Sequence, residues 1–176
     1  MSSALVTGAS SGIGLEIART LAPMVDNLII TGRREGPLRD LEKELIGVVD
    51  VKVVIADLST ESGVDFLIEE AGDLDILVNN AGYGLYGRIA DQDPHKLLGI
   101  VDVNIRALTK LGHHHSTNMR MKGKGKILNV ASIAAFQPGP GLAVYCASKA
   151  YVLSLSRAMS AELKGSGVTV TALCPG

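Results

Sequence analysis

The chain has 176 residues, of which 47% are hydrophobic, 3% aromatic and 20 are glycine, and its formal charge is -1. That length suits one domain with one core, and a stock of small and aliphatic side chains suits a sheet buried on both faces. Charges of both signs are interspersed, which excludes a nucleic-acid footprint or an anionic-membrane patch and leaves a small molecule as the expected partner.

Short β-branched runs alternate with amphipathic stretches, a pattern whose physical solution is a parallel sheet covered by helices. Strands are predicted over 4–7, 27–31, 51–56, 76–79, 126–131 and 168–173, and helices over 12–22, 36–46, 60–71, 94–121 and 142–164. Because parallel crossovers are right-handed, the succession predicts an α/β doubly wound parallel sheet over 1–176, with ligands at the carboxyl ends of its strands. Residues 1–4 have neither a basic leader nor a long apolar stretch, so a cytoplasmic protein is expected. Residues 127–148 carry no charge, but Asn129, Ser132, Gln137, Pro138 and Pro140 make them a poor membrane span. The two cysteines, Cys146 and Cys174, are too few for a disulfide framework and read as small buried filler.

The first strand runs into Gly8-Ala9-Ser10-Ser11-Gly12-Ile13-Gly14, and a helix follows. Unpaired N–H groups at a helix N-terminus attract anions, and glycines let a pyrophosphate approach the backbone. The spacing differs from Gly-x-Gly-x-x-Gly, and a purely structural turn is the plain alternative. After the second strand, where an acidic residue would hold a ribose 2′-hydroxyl, stand Arg33 and Arg34. A guanidinium pair suits a 2′-phosphate, which predicts NADP, with NAD possible as a second cofactor.

The fourth strand closes on Asn79-Asn80-Ala81-Gly82, for which a turn is an adequate explanation. Farther on, His113, His114 and His115 fall inside a predicted helix, where successive residues point about 100° apart and cannot share one ion, so no metal site is expected. Tyr145 and Lys149 are four apart in the last long helix and share a face. A free phenol has a pKa of about 10, and a neighbouring ammonium favours its phenolate. Such a tyrosine can give a proton to a ketone oxygen or take one from an alcohol. Ser132, beyond the fifth strand, can hydrogen-bond the same oxygen. Apolar Ile133, Ala134, Ala135 and Phe136, with Tyr83 and Tyr86, suit hydrophobic ketones or acyl groups at the pocket mouth, loop packing being the equal alternative.

Taken together, the glycine turn, Asn79 to Gly82, Ser132 with Tyr145 and Lys149, and Cys174-Pro175-Gly176 resemble the short-chain dehydrogenase/reductase family across essentially the whole chain. The resemblance implies a Rossmann fold and an NAD(P)-dependent oxidoreductase acting on a carbonyl or alcohol as a homo-oligomer, dimer or tetramer. It implies that Lys149 also holds the nicotinamide ribose, that Asn104 anchors a water leading to Lys149, and that Asp57, with Leu58 beside it, meets the adenine. Asn80, Ala81 and Gly82 would line the cofactor pocket, and Pro175 and Gly176 would lie against the nicotinamide. Members of the family continue past the Pro-Gly pair with a substrate lid, a helix and a seventh strand. On that basis a C-terminally incomplete domain is expected, and a non-catalytic dinucleotide sensor or an inactive truncated fragment are the rival readings.

Overall fold

A computed structural model describes residues 1–176. Six strands, β1 (Ser3–Thr7), β2 (Asn27–Gly32), β3 (Asp50–Ile55), β4 (Ile76–Asn79), β5 (Gly125–Val130) and β6 (Val168–Leu173), pair in parallel in the order β3-β2-β1-β4-β5-β6. The helices are α1 (Gly12–Leu21), α2 (Glu35–Glu44), α3 (Glu61–Ala71), α4 (Pro94–Val101), α5 (Leu108–Lys122) and α6 (Ala143–Glu162). The chain winds outward from β1 to β3, then from β4 to β6 on the other side. The loops after β1 and β4 therefore part in opposite directions and leave a crevice at the carboxyl edge, as a doubly wound sheet requires.

Alternation along each strand divides the core into two layers. Leu5, Ile29, Leu77 and Ile127 pack with Leu67 of α3 and Leu111 of α5. Their neighbours Ala4, Val6, Leu28, Ile30 and Val78 pack with Ala18 of α1 and Leu38 and Leu41 of α2. Each fully buried leucine or isoleucine contributes on the order of 1.5–3 kcal/mol, so the sheet is a stiff platform for the loops at its edge. Local signals set several helix ends. The Thr60 hydroxyl accepts the Gly63 N–H at the start of α3, the Asp93 carboxylate accepts the His95 N–H at the start of α4, and α5 ends on left-handed Gly123.

The strand bounds differ from the sequence expectation by at most one residue, and β4 and β6 match it at both ends. The predicted helix over 94–121 is interrupted by a π-helical turn at Asp102–Ala107, between α4 and α5. His113 is exposed, His114 half-buried, and His115 buried in the layer behind the sheet between Leu111 and Met119. No helix is long and apolar enough to cross a membrane.

Candidate active site

A cleft of about 500 Å³ opens at the carboxyl edge of the sheet, over β1 and β4 and their flanking strands. Its floor is the turn from β1 into α1. Thr7 knots this turn to β4, its hydroxyl donating to the Val78 carbonyl at 3.2 Å and accepting the N–H groups of Asn80 and Ala81 at 2.9 and 3.0 Å. The Asn80 amide nitrogen donates to the Thr7 carbonyl at 2.9 Å and the Gly8 carbonyl at 3.3 Å. Gly14 is pressed so close that a Cβ there would collide with this amide and the Gly8 carbonyl. Asn80 and Gly14 thus hold the turn's shape, and Gly8, in the left-handed region at φ 68°, turns the chain.

The start of α1 fits a dinucleotide's phosphates. Ser11 leads the helix without a side-chain cap, and no acidic residue occupies its first turn. Its leading N–H groups are therefore free of an internal anion, which leaves the helix-end charge to a ligand. Arg34 adds a cation there, its Nη2 lying 3.1 Å from the Ser11 hydroxyl and 3.4 Å from that of Ser10. Arg33 faces Asp57, whose carboxylate is held below its ordinary pKa first by the Ser59 N–H, then by the Ser59 hydroxyl and the Arg33 charge. Neither arginine is in an ion pair with a carboxylate among the short contacts of this rim.

At the other end of the cleft, Tyr145 is half-buried and Lys149 is 5% exposed. The Lys149 Nζ lies 5.8 Å from the Tyr145 ring centroid and donates to the Val130 carbonyl at 2.7 Å. Burial lowers its pKa to about 8, so it is still mostly a cation at pH 7. Ser132 stands two residues past β5, and its Oγ accepts the Ala134 N–H at 3.1 Å. That bond uses a lone pair and leaves the hydroxyl proton free to be donated.

Asn104 is buried in the π-helical turn, a form of helix found often at functional sites. Its Oδ1 accepts the Tyr83 N–H at 3.1 Å, and its Nδ2 lies 3.0 Å from the Tyr83 carbonyl and 2.9 Å from the Ser148 hydroxyl. It clamps the segment after Gly82 onto α6.

Of the residues singled out in the sequence, Gly8, Ser10, Ser11, Ile13, Arg33, Arg34, Asp57, Leu58, Asn80, Ala81, Gly82, Tyr145, Lys149 and Pro175 line this one cleft. Gly12, Gly14, Asn104, Ser132 and Gly176 do not line it; Gly14 and Asn104 act through neighbours, and Ser132 stands on the loop after β5. Tyr83, expected at the pocket mouth, also lines the cleft, whereas sequence reasoning missed the Val130 carbonyl and Val103, and it missed the buried chain in which Asn79 donates to Asn129 and Asn129 to Ser156. Three polar residues on β4, β5 and α6 that alternation would reserve for apolar side chains were the available signal for that chain.

The family model described as short chain dehydrogenase matches residues 2–176. The chain is 38% identical over 175 residues to the 3-oxoacyl-[acyl-carrier-protein] reductase FabG of Rickettsia prowazekii, an alignment covering 98% of this chain and 70% of that protein. Among solved structures it is similar to the bulky-bulky ketone specific alcohol dehydrogenase from Comamonas testosteroni, with a TM-score of 0.93, 34% identity, and coverage of 99% of this chain and 72% of that one. It is likewise similar to a short-chain dehydrogenase from Sphingobium yanoikuyae in complex with NADPH, with a TM-score of 0.92, 33% identity, and coverage of 99% and 70%.

Proposed function

The chain belongs to the short-chain dehydrogenase family of oxidoreductases, and from that premise we propose that it interconverts a ketone and a secondary alcohol with NADP, Tyr145 exchanging the proton. The observation that carries this reading is the pair at the cleft's end, a half-buried phenol with a buried cation 5.8 Å from its ring centroid. When bound, the cofactor supplies hydride to the substrate carbon or accepts it from there.

In the reducing direction Tyr145 gives its hydroxyl proton to the carbonyl oxygen, and in the oxidising direction it takes the proton back. Lys149, held at 2.7 Å by the Val130 carbonyl, stabilises the phenolate left behind. Ser132 donates its free hydroxyl proton to the substrate oxygen and orients it. The uncapped start of α1, with Gly12 and Ile13, holds the pyrophosphate, and Arg33 and Arg34 hold the 2′-phosphate. Asp57 and Leu58 line the adenine end, while Ala81, Gly82, Pro175 and Gly176 flank the nicotinamide end.

Exposed Tyr86, packed on Gly141, and Ile133, bonded through its N–H to the Pro175 carbonyl, favour an apolar ketone. The similar ketone-specific alcohol dehydrogenase supports that substrate class. Two free cysteines support a cytoplasmic protein, and the outward face of α6, with Ala147, Ala150 and Ser154, supports a homo-oligomer.

Substituting Tyr145→Phe tests the reading. Turnover on a panel of apolar ketones is expected to fall by about 10²–10⁴-fold, with NADPH affinity, read by its fluorescence, within twofold of wild type. Near-wild-type turnover would overturn the proton role, and NADPH binding by the wild type without turnover of any ketone would favour a binding-only domain.

A further inference from the structure

The segment that follows Gly82 runs close across α6. A Cβ built on Gly82 would lie 3.0 Å from Asn104 Oδ1 and 3.4 Å from Lys149 Nζ. One built on Gly84 would lie 2.8 Å from Cδ2 of Tyr145, 2.9 Å from Cγ and 3.1 Å from Cβ. Contacts under 3.0 Å are ones real Cβ atoms essentially never make. Any side chain at 84 therefore requires the Tyr145 ring or the segment to move.

The two glycines also match the helix in register. Tyr145 and Lys149 are one turn apart, about 6 Å along the axis, and two residues of extended chain span up to about 6.6 Å. Between the glycines, both backbone groups of Tyr83 are gripped by the Asn104 amide, whose Nδ2 also reaches the Ser148 hydroxyl of α6. On its far side the Tyr83 hydroxyl abuts Gly99 of α4. The segment is thus pinned at 83 and cannot drift away from the ring.

We infer that Gly84 is a positioning residue for the proton transfer: its bare Cα surface is the seat against which the Tyr145 ring is held at the cleft, beside Lys149. The inference rests on the proposed role of Tyr145. The residue's importance comes from the missing side chain and not from backbone freedom, because Gly84 is not among the glycines with positive φ. An alanine there strains no dihedral, and Gly84 is exposed, so the variant is compatible with the fold.

The test is a double-mutant cycle on the full chain, using Gly84→Ala, Tyr145→Phe and the pair. Gly84→Ala is expected to lower kcat at least tenfold, with the NADPH dissociation constant within twofold and the thermal midpoint unchanged. Added to Tyr145→Phe, it is expected to lower the residual kcat by less than twofold, because the hydroxyl it displaces is already gone. A Gly84→Ala enzyme with kcat within twofold of wild type overturns the inference, and so does a loss that adds in full to that of Tyr145→Phe. If Tyr145→Phe alone keeps wild-type turnover, the proton role itself has failed, and this inference falls with it.

Discussion

Two basic side chains are buried in this molecule, one at the end of the cleft and one behind the sheet, and burial acts on both in the same direction. Lys149 on α6 is 5% exposed with its pKa lowered to about 8, and His115 on α5 is 1% exposed with its pKa lowered to about 4, first by burial and then by the neighbouring His114. Their surroundings differ. Lys149 has a partner in the Val130 carbonyl, a phenol beside it and a 500 Å³ cleft in front of it. His115 has no partner for either ring nitrogen, lies on α5 with buried Leu111 and Met119 one turn to either side, and does not line that cleft. A perturbed titration alone therefore does not mark a functional site; what sets Lys149 apart from His115 is a satisfied donor in the lining of a cleft.

The sharpest way to break this comparison is Lys149→Met. Turnover is expected to fall by about 10²–10⁴-fold, the scale of acid–base catalysis. Stability should move the other way. The folded pKa of Lys149 lies below its unfolded value of 10.5, so its burial weakens the fold below about pH 8, and that penalty is relieved as pH rises from about 8 to 10.5. The span corresponds to about 3 kcal/mol. Denaturation midpoints across that window should rise for wild type and stay flat for the variant; parallel curves would refute the assignment.

His115→Leu is the reciprocal test, with a smaller consequence for function and a clear one for stability. The unfolded imidazole binds its proton near pH 6.5 and the folded one only near 4, so stability is full above 6.5 and is lost as pH falls towards 4. The variant should be more stable by about 1–3 kcal/mol at pH 7, through removal of unsatisfied nitrogens, and its acid limb should be flatter. Its kcat should remain within twofold of wild type, and a tenfold loss would mean that His115 reaches the site after all.

Arg33 extends the comparison to an exposed cation, whose removal is expected to touch cofactor binding and neither the fold nor the proton transfer. Arg33→Ala should weaken NADP binding by about 1.5–3 kcal/mol, the scale of hydrogen bonds to charged groups, and leave NAD binding unchanged. Equal NADP affinity in the two proteins, measured by titration, would remove Arg33 from the 2′-phosphate site.

Much of this was legible along the chain, because the signals were local. The apolar runs of β4 and β6 marked those strands at both ends, since residues buried on both faces of a sheet leave no polar position to blur them. Tyr145 and Lys149 could be paired from their spacing, because a helix brings residues four apart onto one face. The π-helical turn was not legible, since Asp102-Val103-Asn104-Ile105 carries no helix breaker. What distinguishes it is that Asn104 meets Tyr83 and Ser148, residues remote in sequence. The burial of His115 escaped notice for a related reason: three consecutive histidines look alike until the sheet decides which one faces it.

By itself, then, the sequence determined the doubly wound sheet, the glycine turn at the head of α1 and the phenol–ammonium pair, all of them consequences of periodicity and short spacings. Only the tertiary structure decided that Val130 holds Lys149, that Asn104 clamps the segment after Gly82, and that Gly84 lies against the Tyr145 ring. Those contacts join segments tens of residues apart, and their distances are set by how strands and helices pack, which no local pattern encodes.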